Sequence, residues 1–131
     1  MKNTIFKLTE HVYYFSLLVL VILYLFPGSL IGYFLYGNLS QQPNLITNPI
    51  GTSINHLIFF SYITSLAIIV RLRVKNIFTS FKIILFISGI LEILHLIVPN
   101  RAFELYDLLA NITGVTIVLL INSFIKWQKY F

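Results

Sequence analysis

The chain has no cysteine, which excludes a disulfide framework and a thiolate metal centre. Charge is nearly as scarce: 10% of residues are charged and only four are acidic, against about a quarter charged in soluble domains. No alanine occurs before Ala67, which removes the small-residue cleavage site that a secretory signal peptide requires after its apolar stretch. The net charge is +5, but the basic residues are not gathered on one polar face, and nucleic acid is set aside as a partner.

What remains is apolar. At 131 residues the natural expectation is one domain, and 58% of those residues are hydrophobic. The charges stand at the ends of long apolar runs, as in an integral membrane protein. Residues 12–26 are apolar or aromatic apart from Ser16 and show no polar face. Fifteen helical residues rise only about 22 Å, short of the roughly 30 Å hydrocarbon core. The helix is therefore expected to continue, kinked at Pro27-Gly28, to about residue 35. A helix ending at Phe26 with an interfacial segment after it is the alternative.

Residues 37–52 are uncharged, rich in Asn, Gln, Pro and Gly, and read as a loop. Three further spans are expected at about 54–70, 77–98 and 106–125. Lys126, Trp127, Lys129 and Tyr130 close the last one and suit a headgroup belt. Eight of the nine Lys and Arg residues flank one side of this arrangement (Lys2, Lys7, Arg71, Arg73, Lys75, Lys82, Lys126 and Lys129), and only Arg101 falls on the other. The positive-inside rule makes this an all-α transmembrane four-helix bundle with cytoplasmic N- and C-termini.

The stretch from Glu92 to Gly114 holds three of the four acidic residues. On the third segment Ser88, Glu92, His95 and Pro99 share a face; on the fourth, Asp107, Asn111 and Gly114 do. Glu92 lies about 9 Å inside the end of its helix and Asn111 about 7 Å inside the start of the next. His56, Glu92, His95, Arg101, Asp107 and Asn111 are thus expected to form one polar cluster in the outer leaflet. Gly114 would allow close helix approach. A charge in a spanning helix costs about 2.5–3.5 kcal/mol, so Glu92 must find partners or a proton.

The run E-x-x-H-x-x-x-P-x-R-x-x-x-x-x-D-x-x-x-N-x-x-G, from Glu92 to Gly114, resembles the core of the VanZ-like membrane proteins, over about residues 50–120. The family pattern is Glu-x-x-Gln, Pro-x-Arg and Asp-x-x-x-Asn-x-x-Gly, met here by Glu92, Pro99, Arg101, Asp107, Asn111 and Gly114. An earlier Asp-Lys-x-x-His element aligns on His56 and Phe59-Phe60. His95 replaces the family Gln, Thr52 and Ser53 replace Asp-Lys, and Val118 replaces a second Gly. The resemblance implies a polytopic protein of the bacterial inner membrane, related to the cell envelope. It also implies an association with resistance to the glycopeptide antibiotic teicoplanin.

Three uses of the cluster follow. It is a clasp of interhelical hydrogen bonds, a site for an outer-leaflet lipid headgroup or lipid-linked cell-wall precursor, or an acid–base pair acting on such a lipid. The expected function is recognition of that lipid-linked ligand, glycopeptide-resistance-like, between the second, third and fourth spans. The alternative is an accessory subunit docked on another membrane protein. No cofactor is expected. The single Glu92-x-x-His95 is half of a di-iron set, and zinc on His56, Glu92 and His95 is chemically conceivable but not expected.

Overall fold

The computed structural model describes residues 2–43, 51 and 53–129, and among these every regular element is a helix. α1 spans Lys2–Leu25, α2 Leu30–Tyr36, α3 Ser53–Arg71, α4 Phe81–Leu94 and α5 Leu105–Gln128. Three of them, α1, α3 and α5, are long and apolar enough to cross a membrane. Thr52, Tyr130 and residues 44–50 of the expected loop lie outside the described residues.

The first apolar segment does not continue as one kinked helix to residue 35. Pro27 has no N–H with which to bond the Leu23 carbonyl. Gly28 then takes φ +88°, and a Cβ there would also lie 2.8 Å from the Leu39 carbonyl oxygen. Ser29 restarts the chain: its N–H donates to that carbonyl at 2.7 Å, and its Oγ accepts from the Gly32 N–H at 2.9 Å. The result is a separate seven-residue helix, α2. At the other end α1 begins at Lys2, ten residues before the apolar run, because hydropathy marks the span and not the start of the helix.

The third expected span, 77–98, is likewise shorter as a helix. Thr79 ties residues 76–79 into a turn: its N–H donates to Asn76 Oδ1 at 3.0 Å and its hydroxyl to the Val74 carbonyl at 3.0 Å. Ser80 is the extended residue before α4. After Leu94 the chain proceeds in turns, since the residue preceding Pro99 is kept out of helical backbone. Asn100 follows at φ +57°, a conformation asparagine tolerates.

Side-chain pairs set the helix directions. Ser53 with Asp107, His56 with Asn111, and Ser61 with Gly114 align α3 parallel to α5. Tyr24 with His56 and Ser16 with Tyr62 set α1 antiparallel to α3. α3 is central, touching α1, α4 and α5. Gly114 makes the α3–α5 approach close, for a Cβ at this position would sit 2.5 Å from the Leu57 carbonyl oxygen.

The interior includes Tyr13, Leu20, Phe60, Ile63, Ile84 and Val115, and equally Thr64, Ser88, Glu92 and Asn111, all fully buried or nearly so. The outer faces expose Phe15, Leu18, Ile58, Phe86, Leu120 and Phe124, among many apolar side chains. Polar groups inside and apolar groups outside fit an integral membrane protein, where hydrocarbon is the solvent.

Candidate functional site

Because α1 and α4 end where α3 and α5 begin, the last turns of one pair and the first turns of the other meet at one end of the bundle. There the structure gathers His56 of α3, Glu92 of α4, His95 at its C-terminal end, and Asp107 and Asn111 of α5. Glu92 and Asn111 are 0% exposed, His95 and Asp107 4%.

Each polar group has a definite partner. Glu92 Oε1 accepts from the Glu104 N–H at 3.1 Å and lies 3.2 Å from His95 Nδ1. His95 Nε2 lies 3.1 Å from the Tyr24 carbonyl. A carbonyl only accepts, so Nε2 carries a proton, and the Nδ1–Oε1 contact shares one more between ring and carboxyl. Asp107 Oδ1 accepts from Ser53 Oγ at 2.5 Å, while Oδ2 lies 3.4 Å from His56 Nε2. Asp107 stands in the first turn of α5, where the helix dipole favours a negative charge. Asn111 donates through Nδ2 to the Ser88 carbonyl at 3.0 Å, linking α5 to α4.

The hub of this arrangement is Tyr24. Its hydroxyl donates to Asn111 Oδ1 at 2.8 Å and lies 2.7 Å from His56 Nδ1. Its ring stacks on His95, with centroids 5.3 Å apart and planes at 17°. The first apolar segment therefore has a polar face after all, formed by Tyr13, Ser16 and Tyr24. The site is made by four helices, α1 included, and not by the second, third and fourth spans alone. Spacing was the available signal: Tyr13, Leu20 and Tyr24 recur at seven and four residues.

Arg101 and His95 have a further task. Leu23 and Tyr24 sit in the last turn of α1, where carbonyls lack helical partners. Arg101 Nη2 donates to the Leu23 carbonyl at 2.8 Å, and His95 reaches that of Tyr24. Arg101 thus caps the helix that Pro27 ends, and none of its hydrogen bonds goes to Glu92 or Asp107. Burial lowers its pKa from the ordinary 12.5, while Glu92, Tyr24 and Asp107 oppose that shift. Glu104 moves up from 4.5, through burial first and the charges of Asp107 and Glu92 next.

Beside the cluster lies a half-open cleft of about 90 Å³, room for several water-sized groups. Leu20, Leu30 and Phe59 form apolar wall; His56, His95 and Arg101 bring polar atoms to it. Two buried atoms of its lining residues, Arg101 Nε and Asn55 Oδ1, have no hydrogen-bond partner among the described residues. No protein-family model matches this chain, and no curated protein or solved structure does. The chemistry is therefore read from the geometry alone. A guanidinium beside an apolar wall suits an amphiphilic anion. Three groups, His56, Glu92 and Asp107, bring one donor atom each to within 4.8 Å of the others, as metal ligands do.

Proposed function

We propose that this chain is a VanZ-like integral protein of the bacterial inner membrane that recognises an outer-leaflet lipid-linked or cell-wall ligand. In this reading α4 joins α1, α3 and α5 as a fourth span. Its 14 residues rise only about 21 Å, but the protein packed around it satisfies the non-helical turns that lengthen it. Lys7, Arg71, Arg73, Lys75 and Lys126 stand at the end opposite the cluster, so the positive-inside rule puts both termini in the cytoplasm and the cleft outside.

The observation that carries the reading is the cleft itself, with a half-buried arginine whose buried Nε has no partner among the described residues, beside an apolar wall. Such a wall takes an acyl or prenyl chain, and Arg101 takes the phosphate. Native mass spectrometry of the protein gently extracted from its own membrane tests this. A bound lipid-linked precursor, lost in Arg101→Lys and in the wall-filling Leu30→Trp, is expected. An empty wild-type protein, or a ligand indifferent to both changes, refutes it. Because the chain has no cysteine, Ser40→Cys and Lys75→Cys each provide a single label, expected outside and inside respectively.

A second reading, a helix clasp within an accessory subunit, is favoured by one specific observation. Tyr24, His56, Asn111 and the Ser88 carbonyl join all four long elements through hydrogen bonds made within the protein. A copurifying protein partner with an empty cleft moves the conclusion to that reading.

A further inference from the structure

We propose that His56, Glu92 and Asp107 form a binding site for a divalent cation of the zinc class. This goes beyond the reading of the cleft and does not depend on what the cleft takes.

Several atoms of the cluster are already engaged. Asn111 donates through Nδ2 to the Ser88 carbonyl, which fixes its amide with Oδ1 turned to Tyr24. The Tyr24 O–H donates to that oxygen, so the Tyr24 oxygen is left to accept from His56 Nδ1–H at 2.7 Å. In the neutral ring the lone pair is therefore on Nε2, and it faces Asp107 Oδ2 at 3.4 Å, acceptor against acceptor. Asp107 cannot turn its other oxygen to relieve this, because Oδ1 holds the Ser53 hydroxyl.

Glu92 repeats the pattern independently. Its Oε1 holds the Glu104 N–H and the His95 ring. Its Oε2 is fully buried, has no hydrogen-bond partner among the described residues, and lies 3.8 Å from His56 Nδ1. Both carboxylates thus use one oxygen on a structural donor and leave the other beside the His56 ring, Asp107 at Nε2 and Glu92 on the Nδ1 side. Hydrogen bonds on the far atom of each ligand are what orient metal-binding carboxylates and histidines.

The donor atoms lie within 4.8 Å of one another. Zinc bonds of roughly 2.0–2.2 Å at tetrahedral angles place ligands about 3.4 Å apart, so side-chain rotation closes the set. One imidazole and two carboxylates suit a borderline cation better than a hard one. His95, in the sequence a conceivable though not expected zinc ligand beside His56 and Glu92, is excluded from the set because its Nε2 is held by the Tyr24 carbonyl; Asp107 stands in its place. Three protein ligands leave a fourth position for water or a ligand, and His56 also lines the cleft.

The test uses the full chain in detergent, stripped with a chelator, loaded with zinc chloride and desalted. Metal analysis is expected to find one zinc per chain, absent from Glu92→Gln and Asp107→Asn and retained by His11→Ala. Ser53→Ala, which frees the oxygen orienting Asp107, is expected to weaken affinity about 10-fold. Zinc missing from the wild type, or kept by either carboxylate variant, overturns the site. Since these variants can also lose their fold, cobalt loading of the wild type decides separately. Tetrahedral d–d bands with coupling to one imidazole nitrogen support it, and an aquo-ion spectrum overturns it.

Discussion

Tyr13 and Tyr24 lie on one face of α1, about three turns apart, and both are buried. Their surroundings differ in kind. The Tyr13 hydroxyl donates once, at 2.6 Å, to the Phe78 carbonyl in an exposed connection. Around it the basic end of the bundle is held by separate contacts, such as Arg73 to Asn3 at 2.7 Å and Arg73 over the Phe6 ring. Each such contact can fail alone, because water stands ready to replace the lost partner. Tyr24 instead joins a network whose members are shared between helices and buried apart from the partly exposed His56. A group deleted there strands several others at once, most of them away from water. One end of the molecule is thus a set of independent ties, and the other behaves as a unit.

The sharpest way to break that contrast is Asn111→Ala. It leaves the Tyr24 hydroxyl, the His56 ring and the Ser88 carbonyl without a shared partner. A loss of about 2–4 kcal/mol is expected in detergent unfolding titrations; a loss near zero would mean that the network is not cooperative. Gly114→Val comes next. A side chain 2.5 Å from the Leu57 carbonyl must push α3 from α5, at about 1–3 kcal/mol. The matched pair Tyr24→Phe and Tyr13→Phe then compares the two ends directly. The first is expected to cost about 1–2 kcal/mol and the second about 0.5 kcal/mol. Equal values would erase the distinction.

How much of this was legible beforehand varies along the chain. The gathering of His56, Glu92, His95, Asp107 and Asn111 follows from helical spacing and matched depth, because a charge in a spanning segment has nowhere else to go. Tyr24 did not stand out, since a tyrosine at the end of an apolar run reads as an interfacial aromatic. Its role depends on where Pro27 stops α1, and that stop is set by Gly28 meeting the Leu39 carbonyl, a contact across the chain. Arg101 was legible as the lone cation on its side but not as a cap, because the free Leu23 carbonyl it serves exists only once the helix has ended. The membrane-spanning character was plain in the distribution of charge. The shortness of α4 was not, because it rests on hydrogen bonds within residues 74–79 that hydropathy does not register.

Glu104 gives the smallest effect and the finest probe of the networked end. It is exposed and precedes α5, yet burial of its carboxyl and the charges of Asp107 and Glu92 raise its pKa above 4.5. A raised pKa in the folded state means that ionisation favours unfolding. Its protonated form is compatible with the fold below the unfolded value, and that advantage is lost as pH rises through the folded value. Glu104→Gln, which keeps the shape and removes the charge, is therefore expected to match the wild type in acid and to exceed it slightly in melting temperature near neutrality. The sign identifies the source. If Asp107 and Glu92 both carry charge, the gap opens as pH rises above about 4.5 and shrinks with added salt. If their charges are already balanced by a bound cation or by His95 and Arg101, Glu104 feels little repulsion, and only the part of the gap that burial causes remains, which salt does not change. A melting series in pH and salt, run before and after chelation, separates these cases, because only a bound cation makes the gap widen on adding chelator.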